Sequence, residues 1–476
     1  MFDKLLTVIG GRTMLIALIV ASAFFMEQLD ATIIVTALPQ MAHAFGLNPA
    51  RMSLGVTAYV LAVAACLPAS AWLAERAGAR NLFMAAIALF VLASMACGIS
   101  PNFHAFIGAR IVQGAAAAMM SPVGRLVVLR KAEKSELMAA LSMLVWPGLF
   151  APVLGPPLGG FITEAASWRW IFYVNLPLGL IGLALVAVFI PNDRSTERKP
   201  FDGMGFMLMA LSLACLTYGV DRIGAREGHG LGTLWEGLGL LIGGLVIGWA
   251  AIRHLDRTDH PLLDLGPLRD HIFFVSSISG GLPARAAISA APFLLPLMFQ
   301  VGYGLSPLTS GLLLLIYMSG NLLMKLVTNP IMRAYGIRAV LVWNGLLAAG
   351  SLAACALIAP GVPAMLTGVL LFVAGGSRSM QFTAASMVSF SNISAEHRAS
   401  ASVLFSLALQ VGMSLGVAVG ALMLSLSQAF RGAATLSLFD FKAALALCGL
   451  LCALSVWPFS TLNRNAGQEI SGQKTA

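Results

Sequence analysis

The sequence predicts an all-α membrane protein whose chain crosses a bilayer fourteen times. Three observations carry that reading. Hydrophobic residues make up 58% of the 476 positions and charged residues only 10%. Apolar runs of about 20 residues, the length a helix needs to cross hydrocarbon, recur along the whole chain. The few charges collect mostly in the short stretches between those runs. A soluble domain carries about 25% charged residues, so this inventory cannot dress a water-facing surface. The mean hydropathy of +0.87 says the same. The 48 glycines suit helices that approach one another closely.

Measured by that length, the spans read 13–38, 52–73, 80–99, 104–129, 138–163, 168–190, 203–222, 234–252, 272–301, 307–329, 337–358, 362–387, 400–427 and 440–460. The first apolar run continues as a full span and lacks the small-residue cleavage site of a leader peptide. An even number of spans puts both termini on one side of the membrane. With the N-terminus in the cytoplasm, 18 of the 29 Lys and Arg residues fall in cytoplasmic stretches. Six fall outside: Arg51, Arg169, Arg222, Arg226, Arg431 and Lys442. Positive loops stay inside, so both ends are expected in the cytoplasm of a bacterial inner membrane.

The net charge of +9 is therefore a topology signal. It forms no basic stripe with interleaved aromatics, and no nucleic-acid partner is expected. All six cysteines sit in apolar runs and read as free thiols. Cys448 and Cys452, one turn apart, lack the histidines and loop of a zinc site, so no metal or cofactor is expected. A phosphate-binding Gly-rich loop, a His-Glu-x-x-His pair and a nucleophile elbow are all missing, which argues against an enzyme.

The chain repeats itself. Residues 1–190 and 272–462 read as two six-helix bundles, 191–271 as a linker holding two additional helices, and 463–476 as a cytoplasmic tail. In the loop after the second span of each half, Gly78-Ala79-Arg80 recurs as Gly336-Ile337-Arg338, an offset of 258. Internal repeats of this kind enclose a site at the membrane midplane.

Several stretches carry a family resemblance. Span one ends Leu29-Asp30-Ala31-Thr32-Ile33-Ile34-Val35-Thr36-Ala37-Leu38-Pro39. Span five holds Gly148 and, after six intervening residues, Gly155-Pro156-Pro157-Leu158-Gly159-Gly160. Span six opens Trp168-Arg169-Trp170-Ile171-Phe172-Tyr173-Val174-Asn175-Leu176-Pro177, and span four carries Arg110-Ile111-Val112-Gln113-Gly114. Together these resemble the fourteen-span drug:proton antiporter branch of the major facilitator superfamily. Within it, Pro122-Val123-Gly124-Arg125 is similar to a group of enterobacterial exporters. The resemblance implies a monomer that exchanges protons for a small-molecule substrate by alternating access. It also implies a cytoplasmic gate at Glu75, Arg76, Gly78 and Arg80. The family's usual Gly-x-Leu-Ala-Asp-Arg becomes Ala71-Trp72-Leu73-Ala74-Glu75-Arg76 here, which loosens that gate by one methyl and one methylene.

A charge at the bilayer centre costs at least about 2.5 kcal/mol, so embedded ionisable residues are the candidates for function. They are Glu27, Asp30, Arg110, Arg125, Arg285, Lys325 and Arg378. Glu27 and Asp30 share a face of span one. At about 1.5 Å per residue, Asp30 and Arg110 lie at similar depth, so they can pair. A carboxylate there can load a proton from one side and release it to the other, or the pair can be a static tie between spans. In span five, Gly148, Gly155, Gly159 and Gly160 form a small-residue face, and Pro156 and its neighbour interrupt the hydrogen-bond ladder, which makes a gating bend.

Gln113, Asn175, Gln300, Arg285 and Arg378 are candidate substrate contacts. Arg285, midway through span nine, either finds a backbone or polar partner or meets a negative group on the substrate. Lys325 and Arg378 lie nearer the cytoplasmic ends, where such side chains can snorkel. The expected activity is export of small amphipathic compounds. An organic anion such as a carboxylate or siderophore is the alternative, and a transporter-like sensor or scaffold a remote one.

Overall fold

The computed structural model describes residues 12–131, 140, 143–144, 146–191, 200–224, 230–359, 361–394, 397–433, 435–463 and 466. Among these, every regular element is helical. Twelve helical segments are long and apolar enough to cross a membrane. Trp146–Ala165 and Ala364–Ser389, at expected spans five and twelve, are 20 and 26 residues long. Their apolar character is diluted by Pro152, Pro156, Pro157 and glycines in one, and by Arg378 and Gln381 in the other. The expected start of span five, 138–139, lies outside the described residues.

The helices run α1 (Arg12–Ile33), α2 (Leu38–Phe45), α3 (Ser53–Cys66), α4 (Ala69–Ala77), α5 (Ala79–Ile99), α6 (Phe103–Lys131) and α7 (Trp146–Ala165). Next come α8 (Trp170–Tyr173), α9 (Asn175–Phe189), α10 (Gly203–Gly224), α11 (Gly230–Arg257), α12 (His271–Phe274), α13 (Gly281–Ser289) and α14 (Ala291–Leu297). The chain ends with α15 (Pro307–Tyr335), α16 (Ile337–Cys355), α17 (Ala364–Ser389), α18 (Arg398–Phe430) and α19 (Leu438–Ser460). Three expected spans are interrupted. A 3₁₀ turn at Ile34–Thr36 precedes Pro39 in span one. Pro68 separates α3 from α4, and π-helical turns at Val275–Ser279 and Met298–Gly302 flank α13 and α14. Such irregular turns cluster at functional positions.

Packing repeats along the chain. In the first part, α1 lies on α7 and α9, α3 on α6, and α5 on α6 and α9. In the second, α13 lies on α18 and α19, α15 on α17, and α16 on α17 and α19. The two sets meet along α3–α18 and α7–α15, while α10 and α11 pair and α10 rests on α3 and α18. Lipid tails are as apolar as leucine, so close packing and polar contacts hold such helices together.

The ends differ. A single buried cluster containing Ile34, Leu38, Leu294, Leu297 and Met298 joins both parts at the end carrying the α1–α2 break. Polar links reinforce it: Gln40 Nε2 donates to Gln300 Oε1 at 3.1 Å, Asn48 Nδ2 to Gln428 Oε1 at 3.1 Å, and the Leu308 amide to Glu164 at 3.1 Å. Toward the other end, the clusters around Phe83 and around Val340 draw on one part each. Among the described residues, buried apolar contacts and polar links join the two parts at the first end, and no buried cluster joins them at the other, the parted end.

The repeated loop has one geometry. Gly78 has φ +84° and ψ 137°, and Gly336 φ +80° and ψ 149°, values that an L side chain rarely adopts. Each lets the following arginine fold back on the last helix of its part. Arg80 Nη2 donates to the Ala187 carbonyl and Arg338 Nη2 to the Ser460 carbonyl, both at 2.6 Å. Arg80→Ala and Arg338→Ala should therefore lower the melting temperature of the purified protein by similar small amounts, about 1 kcal/mol each. Gly78→Ala should lower it more, because the added Cβ strains the turn itself. Equal melting of all three variants and the parent would contradict this.

Candidate functional site

The most densely bonded polar group in the first part is Asp30, 1% exposed in α1. Its Oδ2 accepts from Arg110 Nη1 of α6 at 2.8 Å. Its Oδ1 accepts from Gln113 Nε2 at 2.9 Å and from Asn175 Nδ2 of α9 at 2.8 Å. Arg110, fully buried, also donates to Gln113 Oε1 at 2.7 Å and, through Nε, to the Gly55 carbonyl of α3 at 3.2 Å. Its guanidinium stacks on the Tyr59 ring, 4.3 Å from the centroid. Asn175 reaches Ser94 Oγ of α5 at 2.9 Å, and Ser94 donates to the Phe172 carbonyl at 2.9 Å. The carboxylate thereby ties α1 to α6 and α9, and its partners extend the network to α3, α5 and α8.

The three-residue spacing aims Glu27 and Asp30 at the same neighbour, α6. Their partners differ. Ser121 Oγ donates to Glu27 at 2.7 Å, and among the described residues no cation pairs with Glu27. Arg125, one turn beyond Ser121, is exposed.

Span five supplies the seam. A Cβ on Gly155 would lie 2.2 Å from Thr32 Oγ1, and one on Gly159 2.2 Å from the Ile33 carbonyl. On Gly160 it would lie 2.4 Å from the Pro307 carbonyl. Gly311 of α15 returns the contact, meeting the Pro156 carbonyl at 2.4 Å. Gly148 faces open space and takes no part in this seam. At the loop after α4, Arg76 is exposed over the Trp72 ring and Glu75 is half-buried.

The expected substrate contacts divide. Gln113 and Asn175 belong to the Asp30 knot. Gln300 belongs to the sealed end, donating to the Thr36 carbonyl at 2.9 Å. Arg285 is 1% exposed. Its Nη1 donates to the Ser277 carbonyl at 3.1 Å, and its guanidinium lies 4.5 Å from the Phe405 ring centre. The π turn at 275–279 presents that carbonyl. Arg378 is half-buried on α17 with Nη1 unpartnered.

Sequence reasoning passed over Ser94, Ser121 and Tyr59. For Tyr59 a signal existed. Tyr317 stands at the same offset of 258 that relates Gly78 to Gly336. The carbonyls of both tyrosines meet a glycine of the fourth helix in their part, Gly114 and Gly375.

A membrane-crossing helical array, sealed at one end over a buried ion pair and parted at the other, has the architecture of a solute transporter. The sequence profile of the Major Facilitator Superfamily matches residues 20–417 and again 278–474, and the chain belongs to that superfamily. It is a transporter and not an enzyme. A Citrobacter koseri protein named "Putative multidrug resistance protein MdtD" is 37% identical over 413 residues, 86% of this chain and 85% of that one. The Cronobacter sakazakii protein of the same name is 38% identical over 411 residues, 85% of each. Among solved structures, the nucleoside transporter NupG aligns with a TM-score of 0.64 at 13% identity, covering 94% of this chain and 98% of that one. A D-xylose-proton symporter aligns at 0.62 and 16%, covering 95% and 98%. Both share the fold.

Proposed function

We propose that this chain is a proton-coupled exporter of small amphipathic compounds in a bacterial inner membrane. Its fourteen spans form two six-helix bundles, 1–190 and 272–462, flanking two additional helices, with both ends cytoplasmic. The recurrent helix pairing supports the two bundles, and the 18-to-6 distribution of positive residues supports the orientation. On that orientation the parted end faces the cytoplasm. The multidrug-resistance name of the relatives supports the substrate class.

The observation that carries the proposal is the Asp30 knot. A carboxylate with three side-chain donors from two other helices senses any movement of α6 or α9 against α1. Protonation removes the charge that Arg110 balances, so proton loading and helix rearrangement become one event. Alternating access then exchanges the Gln40–Gln300 and Glu164–Leu308 links of the sealed end for links at the Arg76 and Arg80 end. Gly155, Gly159 and Gly160 allow α7 to slide on α1 and α15 while keeping contact.

Proteoliposomes holding the purified protein test this with ethidium as the probe and an imposed pH difference. Uphill ethidium movement that stops on adding a protonophore is expected, and movement indifferent to the protonophore overturns proton coupling. The topology has its own test. Reporter fusions after Thr258 and after Arg431 should read cytoplasm and periplasm respectively. Both on one side would sink the fourteen-span arrangement.

A further inference from the structure

We propose that Lys325, Arg378 and Tyr317 form an oxyanion-binding site in the second bundle, which takes the acidic head of an amphipathic organic anion. The inference rests on the transport reading above and narrows its substrate class.

Close glycine contacts place these residues together. A Cβ on Gly320 of α15 would lie 2.1 Å from the Phe372 carbonyl of α17. One on Gly375 would lie 1.8 Å from the Tyr317 carbonyl and 3.2 Å from the Asn321 amide, and one on Gly376 3.1 Å from Met324 Cε. The two helices therefore run side by side in the same direction, and the next turn brings Lys325 level with Arg378.

Both point away from the lipid-facing side. On α15 the exposed apolar stripe includes Leu312 and Leu323. Lys325 projects about 160° from Leu323 and Val327 and about 100° from the exposed Leu326 at 3.6 residues per turn. On α17 the exposed residues include Met365 and Val369. Arg378, nine residues after Val369, projects about 180° away. Lys325 is exposed and projects within about 40° of Gly311, fourteen residues earlier, whose contact is with α7 of the first part, so its face of α15 is the one turned toward the other bundle. Snorkelling to lipid headgroups does not describe that direction.

The sequence carries no acidic residue between Asp270 and Glu396, and among the described residues neither cation has a carboxylate partner. Arg378 Nη1 has no hydrogen-bond partner. The Tyr317 hydroxyl, fully buried beside Arg378, makes no hydrogen bond of full geometry. Two cations and a hydroxyl whose proton has no acceptor among the described residues offer more donors than the bundle uses, which is the donor set a carboxylate, sulfonate or phosphate monoester accepts. Phe382, 5.4 Å from the guanidinium, gives the apolar part of such a ligand a surface. Arg285 donates to the Ser277 carbonyl and leaves Nε and Nη2 unpartnered, but it stands on α13, outside the α15–α17 pair.

The test is equilibrium binding to the detergent-purified full chain, with carboxyfluorescein, benzoate and phenyl phosphate as anionic probes and ethidium as the cationic one. At least one anion should bind. Arg378→Gln and Lys325→Gln should each weaken it by about tenfold or more, leaving ethidium within about twofold. Arg378→Lys and Lys325→Arg should largely restore it, and all variants should elute as a single folded species. Anion affinity unchanged in both glutamine variants, or no anionic probe binding at all, overturns the site. A lipid headgroup offers the same chemistry, so binding is repeated in vesicles of phosphatidylcholine with and without phosphatidylglycerol. Anion binding abolished by phosphatidylglycerol would assign the site to lipid and overturn the substrate reading. Because binding is read without a proton gradient, its failure is separable from failure of proton coupling.

Discussion

Asp30→Asn is expected to abolish proton-driven uphill export while leaving a protein that inserts, folds and binds its substrate. Asparagine keeps the shape of the side chain and an acceptor oxygen for Gln113, Asn175 or Arg110, but it cannot carry a proton at any pH a cell meets. Removing one partner of a buried ion pair costs about 3–5 kcal/mol when the other is left uncompensated. Here Arg110 keeps the Gly55 carbonyl, Gln113 Oε1 and the Tyr59 ring, so the loss falls well below that range. Counterflow exchange of labelled ethidium should persist in the variant, whereas accumulation driven by a pH difference should fall to the level of empty liposomes. Undiminished uphill transport would remove Asp30 from the coupling mechanism. Loss of both activities with loss of the folded species would instead make the knot a structural tie.

Gly159→Leu should have the largest effect on folding. The substituted β-carbon would sit 2.2 Å from the Ile33 carbonyl and 2.6 Å from Thr36 Oγ1. The nearest atom is backbone at the C-terminal end of α1, where the 3₁₀ turn begins, so it cannot swing aside as a side-chain tip would. Separating α7 from α1 removes contacts along the whole seam, and the cost is about 3 kcal/mol or more. Detergent-solubilised Gly159→Leu should show little monodisperse protein, or a melting temperature several degrees lower. Gly148→Leu, which meets open space within 4 Å, should match the parent. Similar behaviour of the two variants would show that the span-five glycines are not a packing seam.

Much of this was legible in the sequence because the bilayer narrows the choices. With no water to satisfy backbone groups, an apolar run of about 20 residues has only the helix available to it. The faint Gly-x-Arg recurrence was a better guide than its commonness suggested. Its positive-φ glycine and arginine-to-carbonyl bond occur twice, on α9 and on α19. Depth counting along α1 and α6 allowed Asp30 and Arg110 to meet, and they stand 2.8 Å apart. The partners Ser94, Ser121 and Asn175 were not assigned their places, because a serine or asparagine in an apolar run looks the same whichever neighbour it faces.

By itself, then, the sequence determined that this chain is a helical membrane protein, where most of its spans run, and which few ionisable residues are costly enough to need a reason. Only the tertiary structure decided where each of them sits and what it touches. Asp30 is enclosed by donors, and Arg285 is held by a carbonyl that exists only because a π turn exposes it. Arg378 and Lys325, which looked like snorkelling residues, lie on two helices packed side by side through Gly320 and Gly375. The physical reason is directional. Burial of a charge is set by composition and position along one helix, but its partner is set by the rotation of two helices about their axes, and close glycine contacts between distant segments fix that rotation.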